Sequence, residues 1–134
     1  MKHTVGYKNM SISYEYHANN GYIHTKVTDK ITLQEVLSYV ESILEDTRID
    51  KPFYELVDFS ETKNFDFGYY QTDQLYDKLV LLKKNKKHLG TCFIPSITVT
   101  IGMSNIFKVV GEDKGMNIQI FSNMDEALEY IKNA

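Results

Sequence analysis

Four small groups of residues have types and spacings from which chemistry could be built. Asp58 and Asp66 fall at the end of a predicted central strand and at the entry to the helix after it. Open α/β sheets place ligands at that end of their strands, and two carboxylates there would suit acid/base work or a cation. The simpler account has Asp58 steadying a loop and Asp66 capping a helix, its carboxylate accepting N–H bonds at Gly68 or Tyr69. His17 and His24 oppose each other across a predicted hairpin, with Glu15 on the same side. Two imidazoles can hold a transition metal, but a good site needs a third and a fourth ligand. No further ligand is visible, so no metal is expected. Cys92, the single cysteine, lies between Thr91 and Phe93 with His88 nearby. Apolar neighbours raise a thiol pKa, and the residue reads as a small buried hydrophobe. Phe65, Phe67, Tyr69, Tyr70 and Tyr76 gather where a helix begins. Consecutive Tyr69 and Tyr70 cannot both point inward from one helix. The cluster therefore divides between core packing and either an interaction patch or the lining of a small apolar pocket. There is no glycine-rich phosphate loop, no Ser-His-Asp arrangement with supporting context and no metal motif, and no cofactor is expected.

The elements that must position these groups follow from hydrophobic period and turn chemistry. Ile12, Tyr14 and Tyr16 alternate with Ser13, Glu15 and His17, the pattern of a half-buried strand. Asn20-Gly21 signals a two-residue type I′ turn, which pairs Glu15 with Lys26, His17 with His24, Tyr14 with Val27 and Tyr16 with Thr25. Thr32-Leu-Gln-Glu35 is a capping box for a helix to about Asp46, with Val36, Tyr39, Val40 and Ile43 as its apolar stripe. Tyr54–Phe59 is nearly continuous in apolar residues and reads as a strand buried on both faces. A polar loop, Ser60–Asn64, leads to a helix from Gly68 to about Asn85. Lys83, Lys84, Lys86 and Lys87 gather at its end, where the helix dipole favours them; an anionic docking patch is the other account. Thr91–Pro95 is a short strand. Val99, Met103, Ile106 and Val110 recur at helical spacing and predict a helix over Val99–Asp113, ended by Gly115. Asn117–Phe121 is a strand. Ser122 or Asn123 caps a last helix with Met124, Leu128 and Ile131 inward.

The resulting order, β-β-α-β-α-β-α-β-α, implies an α/β fold with a mixed sheet, parallel central strands and helices packed on it. At 134 residues the chain suits one domain with one core. A net charge of -3 offers no electrostatic basis for a nucleic-acid partner. One cysteine excludes a disulfide framework within the chain. No apolar run approaches the roughly 18 residues of a membrane span, and MKHTVGYKNMSISY has no signal-peptide core. A cytoplasmic location is the default expectation.

The order and the C-terminal third, IPSITVTIGMSNIFKVVGEDKGMNIQIFSNMDEALEYI, resemble the SpoIIAA-like superfamily, which holds the STAS domains. The similar features are a strand ending in Pro, a helix opening near a Gly-Met pair, a strand ending in Phe and a final EAL-type helix. The resemblance is to a bacterial branch of small single-domain proteins of unknown role. In the anti-sigma factor antagonists of that superfamily, a loop after the third strand leads to an Asp-Ser-Ser-Gly turn whose serine is phosphorylated. Asp58 matches the strand-end position and Asp66 the Asp of the turn, but Phe67-Gly68 follows, one residue short and without a hydroxyl. Ser60, Tyr69 and Thr72 stand near but not in the motif position. A phosphate at a helix N-terminus is a strong switch, and it has no acceptor here.

What the resemblance implies is a non-enzymatic regulatory or scaffolding domain. A protein partner would bind around Ser60–Gly68, through Asp58, Ser60, Asp66, Phe67, Gly68, Tyr69 and Tyr70. The alternative is a carrier or sensor of a small apolar ligand held among the aromatics. A homodimer through the hairpin's edge strand is a further option.

Overall fold

The computed structural model describes residues 4–5, 11–68 and 71–134. Strands β1 (Thr4–Val5), β2 (Ile12–His17), β3 (Tyr22–Thr32), β4 (Phe53–Asp66), β5 (His88–Ile94) and β6 (Ile118–Ile120) form one sheet in that order. The pairs β1–β2 and β2–β3 are antiparallel, and the other neighbours are parallel. Helices α1 (Leu33–Glu45), α2 (Asp73–Lys86) and α3 (Thr98–Asp113) make the three crossovers, and α4 (Met124–Asn133) ends the chain. The expected order is present with one addition, β1. It pairs with Tyr14 and Glu15 and so takes up part of the hairpin edge that the sequence left open for a second copy.

Parallel strands in chain order, joined by crossovers of one hand, carry their helices on one face. Accordingly, Tyr39, Val40 and Ile43 of α1, Leu75, Tyr76 and Leu82 of α2, and Phe107 of α3 share one core with Tyr14, Ile23, Phe53, Val57 and Phe59 of the sheet. Among the described residues, α4 alone lies on the other face, where Ala127 and Ile131 cover Leu56, Cys92 and Ile94. The capping box is borne out: Glu35 N donates to Thr32 Oγ1 at 3.1 Å and Thr32 N to Glu35 Oε1 at 3.0 Å. Asn123 likewise caps α4, accepting from Glu126 N at 2.9 Å.

Three expectations need correction. First, the hairpin closes on a short 3-10 turn, Ala18–Asn20, with Gly21 left-handed at φ 69°. The longer turn moves the register by two residues: Glu15 faces His24, Tyr14 faces Thr25, Tyr16 faces Ile23 and His17 faces Tyr22. An even shift keeps every side chain on its expected face.

Second, Ser60–Asn64 is strand. β4 runs on to Asp66, paired with Thr28–Thr32 through two register shifts. Each extra residue changes the phase of the pleat, so Phe59, Thr62 and Phe65 turn inward at a spacing of three, which reads in sequence as loop. With the strand prolonged, α2 begins at Asp73 instead of Gly68.

Third, the inward face of α3 is Thr100, Ser104, Phe107 and Gly111, one residue on from the predicted stripe. Small residues let α3 sit close to β6: a Cβ on Gly111 would meet Ile118 Cδ1 at 2.2 Å. Phe107 fills the remaining depth, stacked on Phe93 at 5.5 Å. Gly111→Ala is therefore expected to overpack this contact and cost about 1–3 kcal/mol, read as a lower urea midpoint with an unchanged slope.

Candidate functional site

The residues singled out in the sequence are dispersed over three places. Asp58 and Asp66 lie on one strand, eight residues apart, which at about 3.3 Å per residue is on the order of 20 Å or more. They share no cleft. Asp58 Oδ1 accepts from Ser60 N at 2.8 Å, a local brace as the simpler account held. Asp66 does not cap α2; it is exposed at the end of β4 with Lys30 Nζ at 3.7 Å. Phe67 is buried, edge-on to Phe65 at 5.8 Å, and so belongs to the core rather than to an exposed patch. Ser60 and Gly68 are exposed. Tyr69 and Tyr70 lie outside the described residues. Thr72 is only 2% exposed and closed to a kinase in this state. Two lysines of the cluster serve the fold: Lys86 Nζ donates to Asp46 O at 2.7 Å and Ile49 O at 3.2 Å, and Lys83 Nζ donates to Gly115 O at 2.5 Å.

One corner gathers several surface features. Ser96 Oγ donates to Phe59 O at 3.2 Å and reaches Ser60 O at 3.5 Å, which anchors the start of α3 beside β4. The one-residue rotation of α3 turns its first apolar side chains outward. Ile97, Val99 and Ile101 are 43%, 43% and 47% exposed. Ile97 directly follows Ser96 and so lies near Ser60, just past the end of β5, the end at which such sheets bind; Ile101 stands one helical turn on.

A second place is interior and was missed in the sequence. Glu55, the third residue of β4, is 4% exposed. Its carboxylate accepts from Tyr39 Oη at 2.6 Å and Thr91 Oγ1 at 2.9 Å, and lies 3.2 Å from His88 Nε2. Tyr39 Oη also lies 2.5 Å from Thr25 Oγ1. Burial alone pushes the Glu55 pKa up, but His88, Tyr39 and Thr91 together outweigh it and hold the carboxyl below the ordinary glutamate value. The available signal was one acid inside an apolar run, since a strand buried on both faces admits an acid only with a partner. Glu55 and Thr91 border a cavity of about 60 Å³ between the sheet and α1–α3, lined otherwise by apolar side chains such as Val57, Leu75 and Phe107. His88 thus serves Glu55 and not Cys92. The thiol points to the other face, and burial pushes its pKa up to about 12, which keeps it protonated and inert.

The third place is the half of the sheet that α4 leaves uncovered, where Glu15, His17, His24 and Asp58 stand together. His17 Nε2 is 3.7 Å from Glu15 Oε2, and His24 Nε2 is 3.9 Å from Asp58 Oδ2. Burial lowers the His24 pKa, opposed by the charges of Asp58 and Glu15.

A group whose folded pKa is depressed adds stability above its unfolded pKa, and that stability is lost as pH falls through the folded value. Glu55→Gln is expected to cost about 1.5–3 kcal/mol at neutral pH, because it removes the charge from a buried acceptor that Tyr39 and Thr91 donate to. The gap to the native chain should narrow on acidification below about pH 4.3, the unfolded glutamate value. Urea denaturation of both chains across that range checks it; a constant gap would show that the charge of Glu55 contributes nothing.

No helix among the described residues is long and apolar enough to cross a membrane. No family model matches the chain, and no curated protein matches it. Its structure is similar to that of an uncharacterized protein from the DUF3478 family with a SpoIIAA-like fold from Shewanella loihica PV-4. The two chains are 17% identical, with a TM-score of 0.56 over 98% of this chain and 95% of that one. At such identity the likeness speaks for architecture alone: the chain has a SpoIIAA-like fold.

Proposed function

We propose that the chain is a non-enzymatic regulatory or scaffolding domain that binds a protein partner at the corner formed by the Ser60–Gly68 segment and the start of α3. The observation that carries this reading is the exposure of Ile97, and of Ile101 one turn on, directly after Ser96, which bonds to the Phe59–Ser60 backbone. Large apolar side chains grouped on a surface mark interaction sites more often than chance exposure does. Ser60, exposed beside Ser96, supplies a polar edge of the kind that interfaces carry around such a centre. The phospho-switch of the anti-sigma factor antagonists is not part of the proposal, since Phe67 stands where a hydroxyl is needed.

A second reading, a carrier or sensor of a small apolar ligand, is favoured by the cavity over Glu55. Size ranks it second. Ligand pockets run to about 300–1,000 Å³, and a cavity of about 150 Å³ is what admits benzene. The 60 Å³ present takes a few water-sized molecules, so a carrier would have to open the packing of α2 on the sheet.

A photo-crosslinking residue at position 101, used in the native host, is expected to trap a discrete protein adduct. Ile101→Glu should weaken association with that protein by about 2 kcal/mol or more, the scale of an interface hot spot. It should leave the urea midpoint within about 0.5 kcal/mol of the native chain. Absence of any adduct, together with a small molecule released on unfolding in native mass spectrometry, would put the carrier reading first.

A further inference from the structure

We propose that the outer side of α3 is the interface of a two-fold dimer, with α3 of a second copy of this chain lying antiparallel across it. This rests on the corner of Ile97 and Ile101 being a protein-binding surface, and it names the partner. Thr98, Ile101, Asn105, Val109 and Glu112 are all exposed and follow one another at steps of three, four, four and three, which sets them on one side of the helix. Val109, at 70%, is the most open large apolar side chain among the described residues. From Thr98 to Phe107 the helix carries no charged residue, and a helix apolar on its outer as well as its inner side is one that is covered on both. Beside the row, a Cβ on Gly102 would meet nothing within 4 Å, so the backbone there is open to close approach.

Two features select a second copy as the occupant. The spacing reads the same from either end, as an isologous contact requires: an axis at Asn105 sets Ile101 against Val109 of the other copy, and Thr98 against its Glu112. The charges of α3 also run against its own dipole. Its last turn holds Glu112 and Asp113 and no base, and its first turn holds no acid, whereas acids stabilise the N-terminal end of a helix and cations the C-terminal end. The N-cap residue, Ile97, has no side-chain oxygen to offer. Thr100 Oγ1 accepts from Ile97 N and Ser96 N, both at 3.0 Å. Among the described residues this leaves the N–H groups of Thr98 and Val99 for an outside acceptor. An antiparallel second helix brings Glu112 of each copy to the first turn of the other and relieves both ends together. Lys108, the base beside Glu112 at 3.0 Å, is shared with Ile118 O at 2.7 Å. The other surface considered for a homodimer, the hairpin edge, is partly taken by β1.

Sedimentation velocity of the full chain over a range of concentrations tests this. A monomer–dimer equilibrium is expected, and Val109→Glu should weaken it by more than about tenfold, the scale of an interface hot spot. Asn105→Cys should yield a disulfide-linked dimer under mild oxidation, because position 105 faces itself across the axis. Val80→Cys, exposed on α2, should not. Positions 105 and 109 are open to solvent, so neither variant threatens the fold. The photo-crosslinked adduct from position 101 should have twice the mass of the chain. A chain that stays monomeric, with position 101 trapping a different protein, would overturn the second copy and leave the corner a binding surface. A monomer with no adduct would remove both. A dimer that Val109→Glu leaves unchanged and Asn105→Cys fails to link places the contact elsewhere and also sinks the proposal.

Discussion

An ionised carboxylate at the centre of an apolar core is the constraint around which the rest of the molecule is arranged. Taking Glu55 out of water costs several kcal/mol unless its oxygens are matched. The matches come from three other elements: Tyr39 from α1, His88 and Thr91 from β5, and Thr25 of β3 behind Tyr39. An unpaired version of any of these contacts leaves a buried polar group exposed to the full desolvation penalty. The network therefore selects one register for β3, β4 and β5 and one rotation for α1. Apolar packing alone would tolerate neighbouring alternatives.

That central arrangement explains where the surface is available. Three helices crowd the face that Glu55 looks into, and α4 closes part of the other. The remainder of that second face, beyond Leu56, is left to polar residues of β2 and β3. On the crowded face, α3 approaches β6 closely because Ser104 and Gly111 lack bulk. The same rotation that buries Phe107 turns Val99 and Ile101 outward. The exposed apolar corner and the polar half-face thus follow from how the core is filled. The small size of the internal cavity has the same origin: Phe107 and Phe93 stack into the space that a ligand would need.

Much of this was legible in the residues themselves. The order of elements, the Thr32–Glu35 box, the Asn123 cap and the parallel sheet rest on local period and capping chemistry, which act within a few residues and survive any tertiary context. The likeness to the SpoIIAA-like fold rests on that same order. The absence of a phosphate acceptor at Phe67 was a matter of residue type alone. What local patterns could not supply was phase. Bulges in β3–β4 turned a spacing of three into strand. A four-residue turn in place of the two-residue one that Asn20-Gly21 suggests reset the hairpin. A choice between two faces of α3, both spaced +4, +3, +4, was made by close approach to β6.

The candidate sites divide along the same line. Sequence by itself determined which side chains could ionise, ligate or pack, and which could not take a phosphate. Tertiary structure alone decided which of them meet. It separated Asp58 from Asp66 because one continuous strand cannot fold back on itself, and it turned Phe67 into the core. It joined Glu55 to His88 across 33 positions and brought Asp58 beside His24 through a parallel pairing that no turn encodes. The physical reason is that propensity and capping are properties of neighbours along the chain. Proximity across a sheet is fixed by the joint satisfaction of buried polar groups and the filling of one shared core.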